Sequence, residues 1–149
     1  MKYEKINHDI YKYRITEDYK ILLDDFHHKS FTNTFYEWVN NTSVYISNDL
    51  NIKKFKAGAS FDNSHILTIK TGYAWDGASG IAIDSENFME ASLVHDAFYQ
   101  FMREKIIPIT YKDYADRLLQ KICIKNGMSK FRAGYVYWAV KWFGGKYAK

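Results

Sequence analysis

The chain has 149 residues, room for one domain (1–149) with a substantial core and no need of covalent staples. Its net charge of +4 is mild and its lysines are scattered, which aids solubility and modestly favours anionic partners such as phospholipid head groups or nucleic acid. A single cysteine, Cys123, excludes an internal disulfide and a cysteine-based metal cluster. No apolar stretch of the secretory kind follows Met1 to Lys5, and no segment approaches the roughly 20 apolar residues of a membrane span. The expectation is a soluble protein made in a cytoplasm, with export by lysis or packaging left open.

In chain order, the first half reads as strands and turns. Ile10 to Ile15 and Tyr19 to Leu23 are β-branched and aromatic-rich runs on either side of Thr16-Glu17-Asp18, the pattern of a hairpin. Val44-Tyr45-Ile46 is a short third run. Ile52 to Phe61 and Ile66 to Lys70 flank Asp62-Asn63-Ser64 and predict a second hairpin. His8, His27, His28 and His65 fall in polar strand or turn contexts, where surface positions are expected.

A Gly-rich loop, Gly72-Tyr73-Ala74-Trp75-Asp76-Gly77-Ala78-Ser79-Gly80, leads into a helical second half. Asp84 or Ser85 is placed to cap a helix running to about Lys105, and Pro108 marks the break after it. Thr110-Tyr111-Lys112-Asp113 has capping-box spacing, with Asp in the Glu position, and opens a helix ending near Asn126-Gly127. Ser129 caps a third helix that runs to Gly144-Gly145. Phe131, Tyr135, Trp138 and Trp142 recur at helical spacing while Val136, Val140 and Phe143 cover another face, so this helix is expected to be buried. The fold class is α+β: a small antiparallel sheet, the loop, then three helices.

Chemistry concentrates in the first two helices. His95 and Tyr99 are four residues apart and share a face, with Phe88, Ala91 and Met102 along the same stripe, while Asp96 is turned by about 100°. Asp116, near the start of the second helix, is placed to meet His95 if the helices pack antiparallel. It would then fix the imidazole tautomer and stabilise the imidazolium formed when His95 accepts a proton. The Tyr99 hydroxyl would hold that carboxylate from behind. Gly77 and Gly80 allow a backbone on which carbonyls or amides converge, and with Asp76 and Asp96 they suggest oxygen coordination of a hard cation such as calcium. Zinc fits less well, because His95 is the one imidazole near these motifs and no thiolate accompanies it. Ser79 lacks the flanking pattern of a nucleophile elbow.

Simpler readings stand beside these. A His bonded to an Asp on the next helix is also what a satisfied structural pair looks like, and Asp76 is equally suited to capping its own loop. Trp138, Trp142 and Phe143, interleaved with Lys141 and Lys146, have the composition of an interfacial membrane patch. Core packing with snorkelling lysines is the expected reading there. Lys125, Lys130 and Arg132 are placed to touch phosphates, but no nucleic-acid motif accompanies them.

The ordered motifs resemble a phage- and prophage-encoded family catalogued as domain of unknown function 1353. That family has a Gly-aromatic-x-x-Asp-Gly-Ala-Ser loop, an Ala-x-x-x-His-Asp-x-x-Tyr helix, an Ala-Asp helix and an aromatic Tyr-x-x-Val stretch. Here these are Gly72 through Ser79, Ala91 through Tyr99, Ala115-Asp116, and Tyr137 to Val140 followed by Phe143-Gly144. The resemblance covers roughly residues 50 to 145 and implies a phage or prophage origin near tail or lysis genes. Family members often carry Pro after the Ala-Ser pair, where this chain has Gly80.

The order of loop, His-Asp-x-x-Tyr helix and Ala-Asp helix is also similar to phospholipases of the A-two type. That second resemblance implies His95 as base, Asp116 as its partner and Tyr99 as supporting phenol. It also implies Asp96 as a calcium ligand with Gly77 and Gly80 of the loop. The loop here is not the Tyr-x-Gly-x-Gly of those enzymes, and their layout does not begin with a sheet. The leading expectation is therefore a calcium-assisted ester hydrolase acting on phospholipid at a membrane surface. The alternative is a non-enzymatic phage accessory protein, in the virion or bound to a host or defence component, whose polar motif is structural.

Overall fold

The computed structural model describes residues 1–8, 10–23, 44–47, 65–77, 85–105 and 107–149, with the side chains of 44–47, 65 and 66 left aside. The chain falls into two compact units: Met1–Glu4 with Ile15–Tyr73, and Lys5–Arg14 with Ala74–Lys149. The strands are β1 (Tyr3–Lys5), β2 (Tyr13–Ile15), β3 (Tyr19–Leu23), β4 (Val44–Ser47), β5 (His65–Ile69) and β6 (Ala74–Trp75). The helices are α1 (Glu86–Arg103), α2 (Lys112–Lys125) and α3 (Lys130–Phe143). Small antiparallel sheets precede three helices, so the α+β class is as expected.

In the first unit the sheet order is β3-β5-β4, all antiparallel, with Tyr19 opposite Ile69 and Leu23 opposite His65. The central strand β5 is covered on both faces: Leu67, Thr68 and Ile69 are all buried, as are Tyr19 and Leu23 on β3. In the second unit β2 pairs antiparallel with β6, Tyr13 standing opposite Trp75.

The hairpin expected across Thr16-Glu17-Asp18 is therefore incorrect, because β2 takes β6 as partner and β3 takes β5. Asp18 explains the turn. Its carboxylate accepts from the Thr71 N–H at 2.9 Å and the Thr71 hydroxyl at 3.1 Å and pairs with Lys70, so it ties this turn to a distant one instead of closing a hairpin. Gly72, at φ 96°, supplies the left-handed residue that second turn requires. The strand expected over Ile52 to Phe61, with its turn, lies outside the described residues.

The helices begin and end for local reasons. Ser85 occupies the cap position of α1, but its hydroxyl points to Asn87 Oδ1 at 2.7 Å and does not bond a helix N–H. Lys105 adopts φ 58° just beyond Arg103, and Pro108 follows. The capping box expected from Thr110 does not form: a 3-10 turn over Ile109–Tyr111 leads into α2, and Asp113 bonds Arg117 and the Tyr137 hydroxyl instead. Ser129 does cap α3, accepting from the Arg132 N–H at 3.2 Å.

The core of the helical unit is built from Phe88, Leu93, Val94 and Phe98 of α1 with Leu119, Ile122 and Cys123 of α2, all buried. Burial pushes the Cys123 thiol up to about 11, which keeps it protonated and inert. α3 departs from expectation. Its buried side chains are Ala133, Val136, Tyr137 and Ala139, whereas Phe131, Tyr135, Trp138, Trp142 and Phe143 are exposed. The larger apolar stripe is the outer one. Among the described residues no helix is long and apolar enough to cross a membrane.

Candidate functional site

The apolar stripe of α1 carries His95 and Tyr99 inward, one turn apart, with their ring centroids 4.0 Å apart. Asp116 enters from the first turns of α2 and is fully buried. His95 Nε2 stands 2.8 Å from Asp116 Oδ1, and the Tyr99 hydroxyl donates to that same oxygen at 2.9 Å. The other carboxylate oxygen, Oδ2, accepts from Lys112 Nζ at 2.7 Å. His95, Tyr99 and Asp116 are thus brought together.

The electrostatics define the proton positions. Burial opposes the Asp116 charge, but the bonds from His95, Lys112 and Tyr99 together outweigh it and hold this carboxyl below its ordinary range. An ionised carboxylate only accepts, so His95 Nε2 is the protonated nitrogen and Nδ1 carries the lone pair. Burial also pulls the His95 pKa down, outweighing the pull of Asp116, so the free imidazole is neutral at neutral pH. Burial, reinforced by the Asp116 charge, raises Tyr99 well above its ordinary value, and the phenol stays a donor.

On the Nδ1 side stands Asp96, with Oδ1 4.0 Å away and its side chain 34% exposed. No hydrogen bond to Nδ1 is found among the described residues. Burial pushes the Asp96 carboxyl up to about 7, Asp76 adding to the rise while Arg103 and a bond from the Asp76 backbone N–H hold it down. Asp76 itself pairs with Lys12 at 3.6 Å. Its place is set by Trp75, whose ring is buried on β6 and whose indole N–H donates to the Ser92 hydroxyl of α1 at 3.0 Å.

Asp76 therefore reaches Asp96 through its backbone, while its side chain is engaged by a lysine. Gly77 follows at φ 71°, a left-handed conformation that suits glycine. Gly80 lies outside the described residues. Among the described residues no group of three or more His, Cys, Asp or Glu is gathered for a metal.

Two participants were missed from sequence. Lys112 donates to Asp116 and to the Val140 and Lys141 carbonyls, both at 3.1 Å, using all three ammonium hydrogens. It neutralises the buried carboxylate and also satisfies carbonyls at the C-terminal end of α3, where a cation is favoured. Its i,i+4 spacing from Asp116 was the available signal. Gly144 is buried against Tyr99, and a Cβ there would stand 2.4 Å from the hydroxyl. Its place just past a helix and in the aromatic C-terminal motif carries no signal of this close approach.

A neutral imidazole with one nitrogen fixed on a carboxylate and the other unbonded among the described residues is the arrangement of a general base. Residues 53–140 match the model of a family described as "Protein of unknown function (DUF1353)", a stretch that takes in β5, β6, α1, α2 and most of α3. No curated protein and no solved structure matches the chain.

Proposed function

The chain belongs to the DUF1353 family, to which no activity is assigned, and from the geometry of its own residues we propose that it is an ester hydrolase with His95 as general base. The observation that carries this reading is the polarity of the imidazole: Nε2 is held on Asp116 at 2.8 Å, and Nδ1 is turned to the other side, 4.0 Å from the partly exposed Asp96. In the reaction Nδ1 takes a proton from water and the hydroxide adds to the ester carbonyl. Asp116 stabilises the imidazolium across the Nε2–H bond. As the tetrahedral intermediate collapses, the C–O bond to the alcohol breaks and the proton on Nδ1 passes to the departing oxygen. Tyr99 and Lys112 hold Asp116 in place throughout.

A hard cation such as calcium fits the Asp96 side in charge. The Asp76 charge adds to the rise that burial imposes on the Asp96 carboxyl, and a divalent ion beside Asp96 would relieve it. Asp96, Asp76 and carbonyls around Gly77 and Gly80 would hold it. When bound it would polarise the ester carbonyl. The resemblance of the motif order to phage proteins and to phospholipases supports a phage-encoded enzyme acting on phospholipid esters at lysis or entry.

The test is fatty-acid release from a soluble short-chain phosphatidylcholine, with calcium or with chelator, by the wild type and by His95→Gln. The expected result is hydrolysis that falls by roughly 10²-fold or more in the variant while the melting temperature holds. Undiminished release by His95→Gln removes His95 from the mechanism. A second reading has its own observation: Lys112 bridges Asp116 to two carbonyls of α3, which is what a structural brace in an accessory protein would do. No ester turnover by the wild type, with His95→Gln lowering stability, is the outcome that favours it.

A further inference from the structure

α3 is built inside out. At 100° per residue, Phe131, Tyr135, Trp138 and Trp142 fall within an arc of about 60°. They expose 91%, 60%, 47% and 69% of their surface, whereas Ala133, Val136 and Tyr137 on the opposite side are buried. A row of four exposed rings on one helix is an apolar patch of the kind that marks an interaction surface.

Charge says what covers it. After Asp116 the chain has no Asp or Glu to its end at Lys149, while Arg117, Lys121, Lys125, Lys130, Arg132, Lys141, Lys146 and Lys149 are all basic. Lys130 and Lys141 lie on one flank of the aromatic row; Arg132, on the other, donates to the Ser85 hydroxyl at 3.2 Å. Lys141 Nζ sits 5.0 Å from the Trp138 ring centroid, so cation and aromatic form one amphipathic edge. The nearest acid, Asp113, is 3.9 Å from Lys141 and is itself held by Arg117 at 2.7 Å.

We propose that the aromatic row of α3 is a docking surface for an anionic lipid bilayer, with the rings entering the interfacial zone and the flanking lysines meeting head groups. Tryptophan and tyrosine are suited to that zone, having an apolar body and a polar edge. A helix with an aromatic face and basic flanks lies in the plane of the interface and does not span it. A second copy of the chain is a poorer occupant, because it would bring the same uncompensated positive charge to the contact. The inference concerns binding alone and stands apart from the hydrolase reading.

The experiment is co-sedimentation of the full chain with vesicles of equal parts phosphatidylglycerol and phosphatidylcholine, and with vesicles of phosphatidylcholine only. It compares the wild type, Trp138→Ala/Trp142→Ala, Lys130→Gln/Lys141→Gln and His95→Gln. Both tryptophans are exposed, so the first variant should keep its melting temperature. Binding to anionic vesicles is expected, weaker on neutral ones, with a blue shift in tryptophan emission. The affinity should fall by roughly tenfold or more in the tryptophan variant. The lysine variant should show a loss that added salt abolishes, and His95→Gln should bind as the wild type does. Absence of vesicle binding, equal binding by the tryptophan variant, or a stable dimer or single-stranded DNA complex that alone depends on the two tryptophans would overturn the proposal.

Discussion

Tyr99 and Gly144 share a space that admits only one of them with a side chain. A Cβ on Gly144 would lie 2.4 Å from the Tyr99 hydroxyl and 3.2 Å from two of its ring carbons, and that hydroxyl is held on Asp116 at 2.9 Å. The φ of Gly144 is −72°, so close approach and not backbone strain is what demands glycine. Gly144→Ala is expected to push the ring off Asp116 and cost about 1–3 kcal/mol in chemical denaturation. Combining it with Tyr99→Phe removes the closest atom, so the double variant should be more stable than the sum of the two single losses predicts. Strict additivity would show that the two residues do not meet.

Lys112 acts on both the stability and the titration of the site. Lys112→Met would leave the buried Asp116 without its cation and the Val140 and Lys141 carbonyls without a donor, at a cost of about 3–5 kcal/mol. The Lys112 charge also lowers the His95 pKa, so its removal must raise it. The NMR titration of the His95 ring, and with it the acid limb of kcat/KM, is expected below pH 6.5 in the wild type and at higher pH in Lys112→Met. A shift in the opposite direction would contradict this electrostatic account.

What was legible beforehand follows the range of the interaction. The helices were read within a few residues because apolar spacing and breakers such as Pro108 are local signals. His95 and Tyr99 were placed on one face by the same periodicity. Strand partners are not legible: Tyr13 meets Trp75 and Tyr19 meets Ile69, pairings between segments far apart in the chain. The buried face of α3 is not legible either, because periodicity separates two apolar faces but does not say which one meets the core. Here the small residues Ala133 and Ala139 went inside, allowing close packing, and the large rings went out. The second role of Lys112 depends on α3 docking beside α2, which no spacing within α2 encodes.

Asp18 provides a pH signature for the first unit. Its bond from Lys70, followed by that from the Thr71 N–H, lowers its carboxyl from 3.8 to about 2. The folded state therefore binds this proton less readily than the unfolded chain, and the bonds stabilise it above pH 3.8. That contribution is lost as pH falls through about 2. Asp18→Asn should lower the melting temperature at pH 7, and the difference from wild type should vanish near pH 2. A difference that persisted unchanged at pH 2 would mean the carboxylate charge is not what holds the two turns.

Asp96 has the opposite sign. Its folded carboxyl is raised from 3.8 to about 7, burial being the main cause and Asp76 adding to it, so the folded state holds the proton more tightly than the unfolded chain. Below pH 3.8 the residue is neutral in both states and costs nothing. The cost grows between pH 3.8 and 7 and is complete above 7, where the folded protein must carry the charge. Asp96→Asn is therefore expected to raise the melting temperature at pH 8 and leave it unchanged near pH 3.5. If calcium binds beside Asp96, it should stabilise the wild type at pH 8 in proportion to the logarithm of its concentration once the site is near saturation, and do so much less in the variant. Thermal melts at both pH values, with calcium and with chelator, separate the two effects. An Asp96→Asn protein less stable than wild type at pH 8 without calcium would mean that its carboxylate is a structural anchor, not a strained group kept for a ligand.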